Sequence, residues 1–414
     1  MKRILFVLLA LVAFDISLFA QEYLDNGLGV KISDVEINAS SGEATITVEL
    51  ANGTAAAIGT GIRTIQFDIL LPEGIQLSSD DVNLDESDQE RAFTAGCNAV
   101  DDKGQHLRFV GSTLINKDKF IKDGVLFTFN VKVVGTSFGV QEAKVTGDGS
   151  SPMIFSCSNS IYFYQNNFSF KINVPVLFLY DDKSYEAFPS YTGDITVKRT
   201  IGAGKWNTIC LPFPMFADDI KDAFGGNVTL AKFDGCVTHK NKSGEITGLG
   251  LRFSSVNPLE ISANTPYLIK VTTDVPGFSV ENTSIVYNTP VATGEGGSFV
   301  GTYKVIDPLG SKENPVLFIS NNSFYTAIGK SKLNSFRGYF ELDDLADYRE
   351  AQENQANITL FIDDEATGIV GVTGGQANTD TVYDLQGRLV KTDGNLNNLQ
   401  KGIYIVNGQK VTVK

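Results

Sequence analysis

The groups that could carry metal, acid–base or nucleophilic chemistry are few and scattered. The chain of 414 residues holds two histidines, His106 and His239, and neither has the spacing of the helical HExxH pair of a zinc site. Its four cysteines, Cys97, Cys157, Cys210 and Cys236, show no CxxC or CxxxC spacing, which argues against structural zinc. An even number of cysteines in an exported chain permits disulfides. Segregation into two domains would then favour Cys97 with Cys157 and Cys210 with Cys236, the alternative being buried free thiols. Cys236 and His239 stand three apart, so on a strand they would face opposite ways.

Hard-cation chemistry has one candidate, the acidic run DDVNLDESDQE (80–90). Asp81, Asn83 and Asp85 have the 1, 3, 5 spacing of a calcium loop, which makes calcium the sole cofactor the sequence suggests. Position 6 is Glu86 where such a loop needs Gly, and position 12 is Ala92 where it needs a bidentate Glu. The competing reading is a solvated acidic loop. Sugar recognition would use aromatic faces, and Tyr162, Phe163 and Tyr164 with Asn166 and Asn167 form the best cluster, since consecutive aromatics on a strand cannot all face the core. Tyr162, Tyr164 and Asn166 are therefore the ligand-binding candidates, against a strand buried on both faces. Trp206, the sole Trp, opens an apolar strand and reads as core. Arg337 and Tyr339 in FRGYFEL could form a cation–ring pair or simply alternate along a strand.

Catalytic signatures are missing. The sequence has no GxSxG elbow, and Gly202-Ala-Gly204-Lys205 is too short for a phosphate-binding loop. With histidine so scarce, binding is a better expectation than catalysis.

The elements that must position these groups are strands. In GEATITVEL (42–50), Ala44, Ile46, Val48 and Leu50 alternate with polar residues, and GVLFTFNVKVVG (124–135) repeats the pattern with Val125, Phe127, Phe129, Val131 and Val133 inward. IQFDILLPEGIQL (65–77) reads as a further strand closed by a Pro72–Gly74 turn. The pattern predicts a mainly β chain that opens with an antiparallel sandwich over 28–180. From about residue 190 to 363 strands continue as a second β-rich domain with one short helix in PMFADDIKDAFGG (214–226), where Phe216, Ile220 and Phe224 recur every four residues. A Gly/Thr-rich linker (367–379) leads to a small hairpin domain over 380–414, with turns at Gln386-Gly387 and Asn407-Gly408.

At the other end, Lys2 and Arg3 precede the apolar run Ile4–Phe14, and Leu18-Phe19-Ala20 ends on a small residue, so 1–20 reads as a secretory signal peptide. No later run reaches the ~20 apolar residues of a spanning helix, so no transmembrane helix is expected. The expected location is outside the cell, at its surface. With 48 Asp+Glu against 34 Lys+Arg and a formal charge of −14, nucleic acid is not an expected partner.

Three resemblances follow from these segments. The order of VKISDVEI, GEATITVEL, IRTIQFDILLPEGIQL, LRFVGSTL and GVLFTFNVKVVG resembles the cohesin-type sandwich, a nine-stranded jelly roll related in fold to carbohydrate-binding modules. It implies a non-catalytic module that binds a glycan or a surface protein through one sheet face. Cohesins bind dockerin modules, and this chain holds a single such sandwich and no dockerin-like calcium repeat. The segment from WNTICLPF to FRGYFEL resembles a β-rich module recurrent in surface and secreted proteins of Bacteroidetes. YDLQGR, KGIYIV and the basic last strand are similar to the C-terminal sorting domain of the type IX (Por) secretion system, which implies outer-membrane secretion machinery as a partner. The alternative function is a structural or adhesive surface component without a small ligand; an enzyme or glycoside hydrolase accessory is the weaker reading.

Overall fold

The computed structural model describes residues 29–51, 62–78, 83–84, 94–112, 121, 123–157, 162–353, 356–372, 382–383, 389–391, 399, 401–406 and 409–413. The chain divides into two compact units between Pro175 and Val176.

The first unit is a β-sandwich. Its smaller sheet contains β1 (Gly29–Ile32), β3 (Glu43–Ala51), β5 (Ile75–Leu77), β6 (Asn83–Leu84) and β9 (Gly124–Val133). The larger contains β2 (Val35–Glu36), β4 (Ile62–Leu70), β7 (Thr94–Ala99), β8 (His106–Ser112), β10 (Gly139–Thr146), β11 (Met153–Cys157), β12 (Tyr162–Gln165) and β13 (Phe168–Val174). Alternation explains which face is inside. Phe67 and Phe109 from the larger sheet meet Phe127 from the smaller, with ring centroids 4.6–6.2 Å apart, and Phe129 extends the stack. Such rings fill the interlayer space and hold the sheets in one packing.

Two expectations about this unit change. The run 65–77 is not one strand, because the chain leaves the larger sheet after Leu70, turns at Gly74 (φ 80°) and enters the smaller sheet at Ile75. Proline at 72 removes a ladder donor there, which favours the crossover. On β9 the register against β3 shifts between Val48 and Glu49, so Leu126 is fully buried and Val125 half-buried. The extra residue is a bulge that changes which side chain faces inward.

An end of the sandwich is closed by a side chain. Gln165 accepts a hydrogen bond from the Val30 N–H (2.8 Å) and donates one to the Val30 carbonyl (2.9 Å). A Cβ at Gly29 would meet the Gln165 amide at 2.4 Å, and the φ of 155° there is a conformation that glycine favours.

The second unit begins with β14 (Leu177–Tyr180), which pairs in parallel with β15 (Thr192–Lys198), itself paired with β20 (Phe278–Ser284). The expected limit of the first domain at 180 thus moves back to 175. One six-stranded sheet contains β16 (Trp206–Ile209), β17 (Thr229–Lys240), β18 (Ile246–Ser255), β19 (Tyr267–Lys270), β27 (Asn357–Ile362) and β28 (Glu365–Val372). The other contains β21 (Val291–Gly294), β22 (Gly297–Thr302), β23 (Ile306–Gly310), β24 (Val316–Ser320), β25 (Ser323–Leu333) and β26 (Arg337–Leu342). The foreseen helix is α1 (Ala217–Phe224), with Ile220 and Phe224 buried and the Phe216 N–H capped by the Asp219 carboxylate at 2.9 Å. A second helix, α2 (Leu345–Glu353), was not expected; its sequence LADYREAQE is polar, and tertiary packing of Tyr348 and Ala351 holds it. Trp206 is 8% exposed in the core, as read.

Arg199 is an unusual member of this interior. It is 2% exposed, donates to the backbone carbonyls of Thr208 and Phe336, and among the described residues meets no carboxylate and finds no acceptor for Nε. Burial holds its pKa well below the ordinary arginine value, with the nearby Arg337 charge acting the same way.

At the end of the chain, β29 (Val382–Tyr383), β30 (Leu389–Lys391), β31 (Gly402–Val406) and β32 (Gln409–Val413) form a four-stranded sheet in the order β30-β29-β31-β32. Val406 pairs with Gln409, which leaves the two-residue connection expected of a tight hairpin, although Asn407 and Gly408 themselves lie outside the described residues. Among the described residues no helix is long and apolar enough to cross a membrane.

Candidate functional site

The outer face of the larger sheet gathers the side chains that alternate with the core residues of its strands. Inward positions on β4 and β8 are Ile65, Phe67, Ile69, Leu107 and Phe109, so Gln66, Asp68, His106, Arg108 and Val110 point out. Pairing then sets them in rows across the sheet. Val110 on β8 is opposite Gln66 on β4, Gln66 is opposite Ile154 on β11, and Ile154 is opposite Tyr164 on β12. The neighbouring row runs Ser112, Thr64, Ser156 and Tyr162. Three strand spacings separate the ends of each row, roughly 14 Å. Val110 is 38% exposed, Ile154 45% and Tyr162 50%, so an apolar strip interleaved with hydroxyl and amide groups lies open.

The strip is bordered by a charged cluster. Arg108 Nε and Nη2 donate to the two Asp68 oxygens at 2.7 and 2.8 Å, and Nη2 also donates to Asp148 at 2.7 Å. His106 Nε2 lies 2.8 Å from Asp68 Oδ2. Burial pushes the Asp68 carboxyl up, but the hydrogen bonds from Arg108 and His106 outweigh it and hold the group below the usual carboxylate range. Asp68 is thus ionised and His106 supplies the proton of their bond. Its charge is neutralised internally, while Arg108 keeps about a third of its side chain open to solvent. The geometry can orient a polar partner group.

Of the ligand residues read from sequence, Tyr162 is half-exposed, Tyr164 is partly exposed and Asn166 is exposed, while Phe163 is buried at 4%. Strand alternation therefore places both tyrosines on the outer face with Ile154 and Val110, which sequence reading missed. The segments IQFDIL and HLRFV carried the signal, because their polar residues sit at every second position. The pairing of those strands was not readable.

The calcium candidates Asp81 and Asp85 lie outside the described residues, and Asn83 is on β6 opposite Thr128. Among the described residues no group of three His, Cys, Asp or Glu could hold a metal ion. The cysteine pairing is corrected. Cys210 and Cys236 are free thiols, because Cys210 lies in the core beneath β15 and β20 while Cys236 packs against the other core. Cys210 donates to the Tyr303 hydroxyl at 3.8 Å, and burial pushes both thiols up to about 12. Cys97 on β7 and Cys157 on β11 are separated by β8 and β4, about 14 Å across the sheet. Arg337 binds Asp181 at 2.5 Å and so has a carboxylate partner, rather than depending on the Tyr339 ring.

No protein-family model and no curated protein matches the chain. Among solved structures it is similar to the sixth cohesin of scaffoldin B from Acetivibrio cellulolyticus, solved in complex with a mutant Cel5 dockerin, at 16% identity over 36% of this chain and 99% of that chain, TM-score 0.28. A type I cohesin–dockerin complex from Clostridium thermocellum is similar at 14% identity over 38% of this chain and 99% of that one, TM-score 0.28. The cohesin module of a family 33 glycoside hydrolase from Clostridium perfringens is similar at 12% identity, over 36% and 94% respectively, TM-score 0.25.

Proposed function

We propose that the chain is a non-catalytic, exported cell-surface binding protein whose first unit takes a protein partner on the outer face of its larger sheet. The observation that carries this reading is the row Val110, Gln66, Ile154 and Tyr164, an apolar strip left open on a rigid sheet beside a fixed arginine. Aromatic and aliphatic groups interleaved with hydroxyls and bordered by an Arg are the composition of a protein interface. Export is supported by Lys2, Arg3 and the apolar run Ile4–Phe14, and surface placement by the paired hairpins of 380–414 acting as an address for type IX machinery.

Binding of the full-length mature chain to immobilised dockerin modules and to a glycan array tests the reading. Dockerins are a convenient first probe because several of the similar cohesins were solved with them. Saturable protein binding that Ile154→Asp weakens at least about tenfold supports the proposal. Glycan binding with the same dependence would reassign the face to sugar, and self-association alone would favour a structural or adhesive component. Fusion of 367–414 to a reporter tests the address; retention in the periplasm of a type IX-competent host counts against it.

A further inference from the structure

The second unit exposes a large aromatic ring on an unusually well-pinned loop. Tyr287 is 52% exposed, yet its hydroxyl donates to the Glu186 carbonyl at 3.0 Å. With the polar tip engaged by the protein, the open half of the residue is mainly ring carbon. The ring is set by neighbours: Phe188 meets it edge-on at 5.6 Å, and Tyr303 lies at 6.1 Å. Phe188 in turn stacks on the buried Tyr185 at 5.0 Å.

The loop backbone is fixed from below by one buried residue. Asn264, 7% exposed at φ 59°, donates to the Val286 carbonyl (2.8 Å) and accepts from the Asn288 N–H (3.1 Å) and the Tyr303 hydroxyl (2.9 Å). The Val286 N–H donates to the Pro212 carbonyl at 2.7 Å. Connecting loops are ordinarily more mobile than the elements they join, and binding residues concentrate on loops held by a rigid scaffold. Polar groups that could meet hydroxyls flank it. Glu186 and Lys304 form an exposed ion pair, and Asn288, also exposed, uses its side-chain oxygen on the Thr289 N–H.

We infer that Tyr287 is a stacking platform for the pyranose ring of an oligosaccharide, with Glu186, Lys304 and Asn288 bonding the ring hydroxyls. An immobile ring face suits the apolar C–H face of a sugar, because little side-chain freedom is lost on binding and the paired charges at its edge match hydroxyl donors and acceptors. The site lies wholly in the second unit.

Saturation-transfer NMR on the full mature chain with cellohexaose, xylohexaose, mannohexaose and chitohexaose tests the inference. Transfer to the ring C–H protons of at least one of them is expected. Tyr287→Ala should weaken that binding at least about tenfold, and Tyr287→Phe should hold it within about threefold, because the hydroxyl serves the protein. An unchanged thermal midpoint in Tyr287→Ala separates loss of the platform from loss of the loop. No transfer to any of the four sugars overturns the inference, as does wild-type affinity in Tyr287→Ala. So does a protein ligand that depends on Tyr287 while the sugars give no transfer.

Discussion

Arg108 in the first unit and Arg199 in the second are both held from several sides, by opposite means. Arg108 lies on an outer sheet face, bound to two carboxylates, with a third of its side chain open. Arg199 is sealed in the interior, bound only to main-chain carbonyls, with no counter-charge in contact. The first arrangement neutralises a charge and leaves it available to a partner. The second spends a charge on joining β15 to the Thr208 and Phe336 backbones, which is a structural role. A charged residue therefore reports function here only when its burial and its partners are read together.

The largest test of that contrast is Arg199→Ala. It would remove a donor from two buried carbonyls, leaving Phe336 only the Cys210 N–H, and open a cavity between strands, and should cost about 3–5 kcal/mol in urea denaturation. A loss under about 1 kcal/mol would mean that Arg199 pins nothing. Asp68→Asn should cost less, about 1–3 kcal/mol, because solvent screens the partly open Arg108. The pH dependence has a definite sign. The folded pKa of Asp68 lies below its ordinary value of 3.8, so its contribution is complete above that value and is lost as pH falls through the lower folded one. Stability measured from pH 6 to pH 2 should fall more steeply in the native chain than in Asp68→Asn; equal slopes would break the assignment. The smallest effect is expected for Ile154→Ser. At 45% exposure it should change stability by less than about 0.5 kcal/mol while weakening the partner, and a large stability loss would move Ile154 from the interface to the core.

Much of the first unit was legible because strand alternation is a local property. Ile46, Val48 and Leu50 were read as inward and are buried, and the tyrosines at 162 and 164 fall on the side opposite Phe163. What escaped was set by contacts remote in sequence. The bulge at Leu126 depends on how β9 meets β3, and the row from Val110 to Tyr164 unites strands more than fifty residues apart. The helix α2 escaped because LADYREAQE lacks an apolar stripe and owes its order to the sheet beneath Tyr348. Cysteine pairing failed for the same reason: parity of number says nothing about which core each thiol enters.

The amide of Gln165 has a consequence at the margin of the smaller sheet. Strand β1 borders β3 on one side only, and its Val30 N–H and carbonyl point the other way, where a strand from another molecule would dock. Both groups are already engaged by a side chain that imitates a neighbouring backbone. Fibril-like growth from this border is thereby discouraged at its first rung, and the close fit at Gly29 keeps the guard in place.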